Sequence, residues 1–217
     1  MEITYIGHSC FKIKGKEATL MIDPYDPSIG YKMPKSEADI LLVTHQHPDH
    51  NNISAVNNYK LLIDGPGEYE TKGTFIHGIQ TFHDDKQGEE RGKQTIYEID
   101  FEGINIVHLG DLGHELPKDT LEKISKVDVL MIPGGGFYTI NAKTAAKVIS
   151  SLEPGYVIPM HYKDEGYTGS EEVDNLSKFL DEMGLDEKTV RKEDKLKLSS
   201  KSDIPEETEV IVLNPSH

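Results

Sequence analysis

His45-Gln46-His47-Pro48-Asp49-His50 places four side chains of metal-binding type within six consecutive residues. The hexapeptide follows Ile40–Val43, an uninterrupted apolar run that predicts a strand buried on both faces. The i, i+2 spacing puts His45 and His47 on one side of an extended segment, and the last two donors come where the chain must turn. A lone histidine in such a loop would be interpreted as a capping or hydrogen-bonding residue. The four together predict a site for divalent metals, because imidazoles suit zinc, iron or copper and carboxylates suit harder ions.

One short loop cannot fill the coordination shells of two metals, so further donors are expected elsewhere. His83, Asp111 and His161 each follow a short apolar stretch that predicts a strand. A strand end that opens into a loop is a favourable place for such a donor, because the sheet fixes the base of the loop.

The remaining pattern predicts a strand-rich chain with a few helices. Helices are expected at Asn52–Tyr59, Pro117–Lys126, Asn141–Leu152 and Glu171–Met183, and Lys192–Asp203 is expected to be a surface excursion. Further strands are predicted at Ile3–Ile6, Cys10–Ile13, Thr19–Ile22, Lys60–Ile63, Thr74–Phe82, Gln94–Phe101, Ile104–Leu109, Val127–Ile132, Tyr156–Met160, Lys195–Leu198 and Val210–Leu213. Two strand-rich halves suggest two sheets packed face to face with helices outside, although this pattern also fits other α/β layerings. No linker is evident, so residues 1–217 are expected to form one domain.

The hexapeptide resembles the HxHxDH motif of the metallo-β-lactamase superfamily, and His83, Asp111 and His161 match its later ligand motifs in order. Gly7-His8-Ser9 and Asp23-Pro24 are similar to the opening of the branch that contains the L-ascorbate-6-phosphate lactonase. The resemblance implies an α+β fold, a four-layer αββα sandwich with the metals at one edge between the sheets.

The resemblance also implies how the donors are shared between two divalent ions, zinc or manganese first and iron as an alternative. The first metal would be held by His45, His47 and His83, the second by Asp49, His50 and His161, with Asp111 bridging them. His108 competes with His83 for the third histidine position. It lies only three residues from Asp111, an offset that tends to place the two side chains on opposite faces of a strand, and this favours His83.

Two residues are candidates for handling protons or substrate. Asp49 is expected to orient the nucleophile or shuttle its proton besides binding metal. His8 is either an acid or substrate contact in the pocket or a turn histidine bonded to backbone. Asp23 is expected to support the metal-binding loop through hydrogen bonds.

Three features near predicted strand ends suggest contacts to a substrate. Arg91, in the loop 83–92, would bind an anionic group, although a solvated charged loop is the more ordinary interpretation. Tyr138 would line the cleft, or would simply pack. Gly134-Gly135-Gly136 would offer backbone N–H groups to an anion.

Composition limits the partners. The 217 residues carry a formal net charge of −15 and only two arginines, which disfavours nucleic acid because its binding depends on neutralising phosphates. The single cysteine, Cys10, excludes an intrachain disulfide, and no basic leader or long apolar run is evident. We therefore expect a cytoplasmic protein without a membrane partner, acting on a small molecule, with a homo-oligomer left open.

These observations predict a hydrolase that uses a metal-bridging hydroxide on a small, anionic, ester-like substrate such as a lactone or phosphodiester. A nuclease or phosphodiesterase for larger substrates is an alternative that a basic surface around the cleft would favour. A metal-binding sensor without turnover is the other alternative, and a closed coordination shell would favour it.

Overall fold

Short strands dominate the computed structural model, which describes all 217 residues. Its elements, in chain order, are β1 (Glu2–Gly7), β2 (Cys10–Lys14), β3 (Thr19–Ile22), β4 (Ser36–Glu37), β5 (Ile40–Leu42), β6 (Val56–Asn57), β7 (Leu61–Ile63), β8 (Gly67–Thr71), β9 (Thr74–Phe82), β10 (Lys93–Phe101), β11 (Ile104–His108), α1 (Lys118–Leu121), β12 (Val129–Pro133), α2 (Ala142–Leu152), β13 (Tyr156–Met160), α3 (Leu176–Glu182), β14 (Arg191–Glu193), β15 (Leu196–Lys197) and β16 (Glu209–Leu213). None of the three α-helices is long and apolar enough to cross a lipid bilayer.

Two mixed sheets carry the fold. The smaller has the strand order β15-β1-β2-β3-β5-β7, the larger has the order β14-β16-β13-β12-β11-β10-β9-β8, and β4 pairs with β6 in a separate two-stranded ladder. In the larger sheet, β9 and β11 run in the same direction because both are antiparallel to β10 between them, and β12 and β13 are parallel to β11. The carboxyl ends of these strands therefore meet at one edge. His83, Asp111 and His161 all follow strands that end there.

The two sheets pack face to face over a cluster of 26 buried hydrophobic residues. Tyr97 of β10 lies in this cluster and is fully buried. Its hydroxyl is 2.9 Å from the carbonyl oxygen of Val43 and 3.1 Å from that of Ile63. This polar contact ties the larger sheet to the ends of β5 and β7, directly before the loop that begins at His45.

The outer layers differ in kind. All three α-helices cover the outer face of the larger sheet, where α2 buries Ala142, Ala145, Val148 and Ile149. The outer face of the smaller sheet is covered by irregular segments with two 3-10 turns, Pro27–Ile29 and Ile53–Ala55. They pack over a separate cluster of 10 buried hydrophobic residues. The predicted αββα order of the metallo-β-lactamase fold is confirmed. One outer layer is made of 3-10 turns and loops because prolines and the left-handed Gly30 interrupt the helical backbone.

Several predicted elements are shorter or different. Residues 52–59 form a 3-10 turn followed by β6, because Val56 and Asn57 pair with β4 instead of continuing a helix. The helix predicted at 117–126 is only α1, and the helix predicted from Glu171 starts at Leu176. The residues before α3 are held elsewhere, since Asp174 N–H donates to Gly135 O and Lys163 N–H donates to Asp174 O.

Strands were also missed. β15 lies within the predicted strand Lys195–Leu198, whereas the sequence pattern gave no sign of β8 or of β14, which overlaps the predicted surface excursion at 192–203. Both segments are polar strands at sheet edges, where one face meets solvent and no apolar run forms.

Candidate metal centre

Asp111 lies at the middle of a group of four imidazoles that come from three different loops. Its Oδ2 atom is 3.2 Å from His50 Nε2, 3.3 Å from His83 Nε2 and 3.1 Å from His161 Nε2. His45 Nε2 lies slightly farther away, at 4.0 Å. All five side chains are almost completely buried. One carboxylate oxygen thus faces ring nitrogens of residues that lie more than a hundred positions apart in the sequence, from His45 to His161.

The donors fall into two neighbouring groups on either side of this carboxylate. One group contains His45, His47 and His83, and the other contains His8, Asp49, His50 and His161; within each group all donor atoms lie within 4.8 Å of one another. The structure therefore brings together every residue that the sequence suggested as a metal ligand, in the same two sets, and adds His8 to the second.

The chemistry of the donors fits divalent cations. Asp111 Oδ1, His50 Nε2 and His8 Nε2 are buried and have no hydrogen-bond partner. A buried polar atom without a partner costs about 1–3 kcal/mol, so such atoms are rarely left together in one place. Cations between the two groups would satisfy them, and mixed imidazole and carboxylate donors suit zinc, manganese or iron.

Asp23 fixes the loop that carries the first donors. Its carboxylate accepts hydrogen bonds from Thr44 N–H at 2.8 Å, from the Thr44 hydroxyl at 2.7 Å and from His50 Nδ1 at 2.9 Å. Because Nδ1 of His50 donates to this carboxylate, the neutral form of the ring carries its lone pair on Nε2, which points into the site. Asp23 therefore supports the loop as the sequence suggested.

The electrostatics prepare the site for cations. Burial lowers the pKa of His8 to about 4, helped by the neighbouring His161, and burial likewise lowers the pKa of His83 to about 4. Burial acts to raise the pKa of Asp111, but the adjacent imidazoles outweigh it and hold that pKa well below its usual range. At neutral pH these two imidazoles are thus neutral and Asp111 is charged, which are the forms that bind metal.

His50 behaves differently. Burial acts to lower its pKa, but Asp111 and Asp23 outweigh it and raise the pKa of His50 well above the ordinary value. Burial acts to raise the pKa of Asp49, but the contact with His8 Nε2 at 3.3 Å and the nearby His50 outweigh it and bring that pKa below the usual range.

His108 lies outside both groups. Its Nε2 is 2.9 Å from Ser9 O, and its Nδ1 accepts from Gly110 N–H at 3.1 Å, so both ring nitrogens are occupied. The ring is fully buried and packs edge-on against Phe11. It joins β11 to the turn between β1 and β2, whereas His83 is the histidine placed beside Asp111.

Three site residues have a left-handed backbone that non-glycine residues rarely adopt. The φ angles are +56° at His8, +49° at Asp23 and +51° at His161. His8 O accepts from His161 N–H at 2.8 Å and from the Tyr5 hydroxyl at 2.8 Å, which holds two of these turns together. Such strain persists only where surrounding contacts enforce it, and it is common at functional sites.

The glycine-rich loop packs closely against the end of β13. A Cβ atom on Gly135 would lie 2.1 Å from His161 O, and one on Gly134 would lie 2.9 Å from the Phe179 ring. The Gly134 N–H already donates to Met160 O at 3.0 Å. These glycines let the loop approach the end of β13 that carries His161.

Comparison with known proteins agrees with this architecture. Residues 2–161 match the family model described as the beta-lactamase superfamily domain. The chain belongs to the metallo-β-lactamase superfamily. A UPF0173 metal-dependent hydrolase of Thermococcus onnurineus is 28% identical over 190 residues, covering 75% of this chain and 84% of that protein. Another, from Methanopyrus kandleri, is 24% identical over 221 residues, covering 88% and 96%.

Solved structures of the superfamily include close matches in fold. A candidate zinc-dependent hydrolase from Thermotoga maritima is 34% identical, covers 99% of both chains and superposes with a TM-score of 0.80. Igni18, a metallo hydrolase of Ignicoccus hospitalis, shares the fold at 18% identity with a TM-score of 0.69, covering 100% of this chain and 96% of that one.

In this superfamily member the site opens into a cleft of about 370 Å³. Arg91 and Tyr138 both line it, and the guanidinium carbon of Arg91 lies 5.7 Å from the centre of the Tyr138 ring. Ser28 also lines the cleft. Burial raises the pKa of Tyr167 to about 12, and the nearby charges of Tyr138, Asp49 and Asp111 act in the same direction. Sequence reasoning missed Ser28, because a 3-10 turn and not a strand places it at the cleft.

Proposed function

We propose that the protein is a dinuclear metal-dependent hydrolase that cleaves a small ester-like bond, of lactone or phosphodiester type. The observation that carries this proposal is the Asp111 carboxylate, with three Nε2 atoms within 3.3 Å of one oxygen and a donor group on each side. When bound, two zinc or manganese ions, or iron, would supply an activated hydroxide at neutral pH and polarise the bond under attack.

The chain's own residues divide this work. His45, His47 and His83 would hold the first cation, Asp49, His50 and His161 would hold the second, and Asp111 would serve both. Asp23 keeps the proton of His50 on Nδ1, so that Nε2 is free to bind.

Asp49 and His8 are suited to move protons during turnover. The Asp49 side chain is 31% exposed, which makes it accessible from the cleft, and its Oδ2 lies 3.3 Å from His8 Nε2. We propose that Asp49 orients the nucleophile and that the His8–Asp49 pair holds the proton that the leaving group takes up. His8 is buried and fixed by backbone contacts, so its ring stays in reach of this carboxylate.

The size and charge of the site favour a small substrate. The cleft is compact, Arg91 and Tyr138 lie at its rim as substrate contacts, and the chain's net charge of −15 opposes a polyanion. The likeness of Gly7-His8-Ser9 to the ascorbate-6-phosphate lactonase branch supports a lactone. An accessible Asp49 favours turnover over a sensor with a closed coordination shell.

The decisive experiment combines metal analysis with a hydrolysis screen. We expect two divalent ions per chain in protein purified without chelator, and hydrolysis of at least one lactone or phosphodiester. Asp111→Asn should lose at least one ion and reduce kcat by about 100-fold or more, because the shared carboxylate is removed. His77→Gln is the matched control, since His77 lies on β9 outside both donor groups.

Two results would contradict the proposal. Full metal loading with no hydrolysis across the screen would favour the sensing alternative. Absence of bound metal in wild-type protein, or unchanged loading in Asp111→Asn, would remove the metal centre itself.

A further inference from the structure

The loop between His83 and Gly92 is organised around one buried carboxylate that belongs to neither donor group. Asp84 accepts four backbone hydrogen bonds, from the N–H groups of Lys86, Gly88, Glu90 and Arg91, at distances between 2.7 and 3.0 Å. These bonds hold the pKa of Asp84 below its usual range, although burial acts to raise it. The loop is thus fixed by its own backbone, wrapped around Asp84.

This fixed loop presents a cation whose internal contacts are a long ion pair with Glu90 and the face of the Tyr138 ring. The guanidinium of Arg91 makes no hydrogen bond within the protein, and its nearest carboxylate, Glu90, is 3.8 Å away. The other arginine, Arg191, is held by Glu193 and Glu209, each at 3.3 Å. Arg91 therefore keeps its donors available at the rim of the cleft, where its side chain is 30% exposed.

Arg91 also lines a second hollow, a groove of about 350 Å³ on the other side of His47. The groove contains no leucine, isoleucine, valine, methionine, phenylalanine or tyrosine. Its walls carry the amides of Gln46 and Gln80 and the ammonium of Lys93, and Asp64 is its only acidic residue. Such a groove accepts a charged, hydrogen-bonding group and offers nothing to an apolar one.

We propose that this groove is an anion subsite, that Arg91 is its specificity-determining residue, and that the substrate carries a carboxylate or phosphate apart from the bond that is cleaved. Asp84 is the positioning residue that places Arg91. The geometry supports this arrangement because the groove and the metal cleft share His47 and Arg91. The inference rests on the proposed hydrolase function and names its substrate class.

A matched pair of esters tests the proposal on metal-loaded protein. Mono-4-nitrophenyl glutarate and 4-nitrophenyl pentanoate differ by a terminal carboxylate in place of a methyl group. We expect wild-type protein to prefer the glutarate ester in kcat/KM. Arg91→Ala should lower kcat/KM for that ester by about 10- to 100-fold, the usual worth of a charge-assisted contact, and leave the pentanoate ester within about twofold.

Asp84→Asn separates positioning from chemistry. It should raise KM for the glutarate ester and leave kcat nearly unchanged, because the metal donors are untouched. Arg191→Ala is the charge-matched control and should preserve the preference. Equal loss for both esters in Arg91→Ala would overturn the proposal.

Direct binding decides the subsite independently of turnover. Glutarate and glycerol 3-phosphate, titrated calorimetrically into the metal-loaded protein, should each bind more weakly to Arg91→Ala, and the tighter of the two identifies the preferred anion. Unchanged affinity for both in this variant overturns the subsite. Failure of the wild-type protein to hydrolyse either ester, with binding that depends on Arg91, would count against the hydrolase assignment and support the subsite.

Discussion

Two loops of this protein are each built on one buried aspartate, and the two carboxylates are used differently. Asp23 lies beneath the loop of residues 45–50, which we call the donor loop, and it accepts two side-chain hydrogen bonds and one backbone hydrogen bond. Asp84 lies in the loop at the rim of the cleft, residues 83–92, which we call the rim loop, and it accepts four backbone hydrogen bonds. The first carboxylate therefore sets the orientation and tautomer of an imidazole, whereas the second sets only the path of the chain.

For the proposed hydrolase, this difference separates the residues of chemistry from those of substrate specificity. The donors that surround Asp111 sit at strand ends, in a buried and strained setting. The rim loop is held to the fold by Asp84 but exposes its outer side chains to the cleft. Changes under the donor loop should alter metal binding, and changes under the rim loop should alter substrate affinity.

The largest effect expected is on the stability of the metal-free protein as the pH falls. The pKa values of His8 and His83 are about 4 in the folded protein, below the ordinary 6.5, because burial disfavours the charged rings. The unfolded chain therefore takes up protons first, so stability is complete above about pH 6.5, falls toward pH 4 and then levels off. Each histidine contributes on the order of 3 kcal/mol to this loss.

His50 works in the opposite direction, since its raised pKa stabilises the folded state at low pH and that contribution fades only as the pH rises through the folded value. Urea unfolding in chelator at several pH values measures the slope. His83→Gln should make the slope shallower and His77→Gln should leave it unchanged. An identical slope in both variants would show that the burial of His83 does not make the protein less stable in acid.

The next effect separates the two aspartates directly. In Asp23→Asn, one amide N–H must face a donor, because both carboxylate oxygens accept hydrogen bonds. His50 is then free to carry its proton on Nε2, where a metal would bind. We expect metal affinity to fall by about 10- to 100-fold, as is usual when such a supporting carboxylate is lost.

Competition with a fluorescent chelator measures that affinity. Asp84→Asn is the control, because it removes the same charge from the neighbouring loop without touching a donor. Equal weakening in the two variants would mean that the loops are not separable, and the comparison would fail.

How far the sequence could predict this structure depends on whether strand geometry or loop geometry places a residue. His83, Asp111 and His161 could be expected at one edge, because each follows an apolar strand and strands of one direction end together. The same reasoning preferred His83 to His108, and His108 is turned away with both nitrogens bonded.

Residues placed by irregular backbone could not be found in this way. Asp84 follows His83 directly, yet its role appears only when the chain curls back so that four N–H groups meet one carboxylate. Ser28 reaches the cleft from a 3-10 turn that is held to a distant loop, since Thr168 N–H donates to Ile29 O. The packing role of Gly135 could not be found from the sequence, because sequence does not reveal that His161 O lies against it.

The smallest effect expected comes from the rim loop itself. Asp84→Asn keeps the shape of the side chain but weakens charge-assisted hydrogen bonds and turns one acceptor into a donor, which should lower the free energy of unfolding by about 1–2 kcal/mol. The loss should be local, so amide hydrogen exchange should speed up at residues 86–91 and stay unchanged at Thr44 and His50.

Because the folded pKa of Asp84 is depressed, its stabilising contribution is present above about pH 4 and disappears only as the pH falls further. The difference in the free energy of unfolding between wild type and Asp84→Asn should therefore be constant from pH 5 to pH 8, whereas the contribution of His8 and His83 declines below about pH 6.5. A difference that changed across that interval would mean that the rim loop responds to the donor loop, and the separation of chemistry from specificity would have to be abandoned.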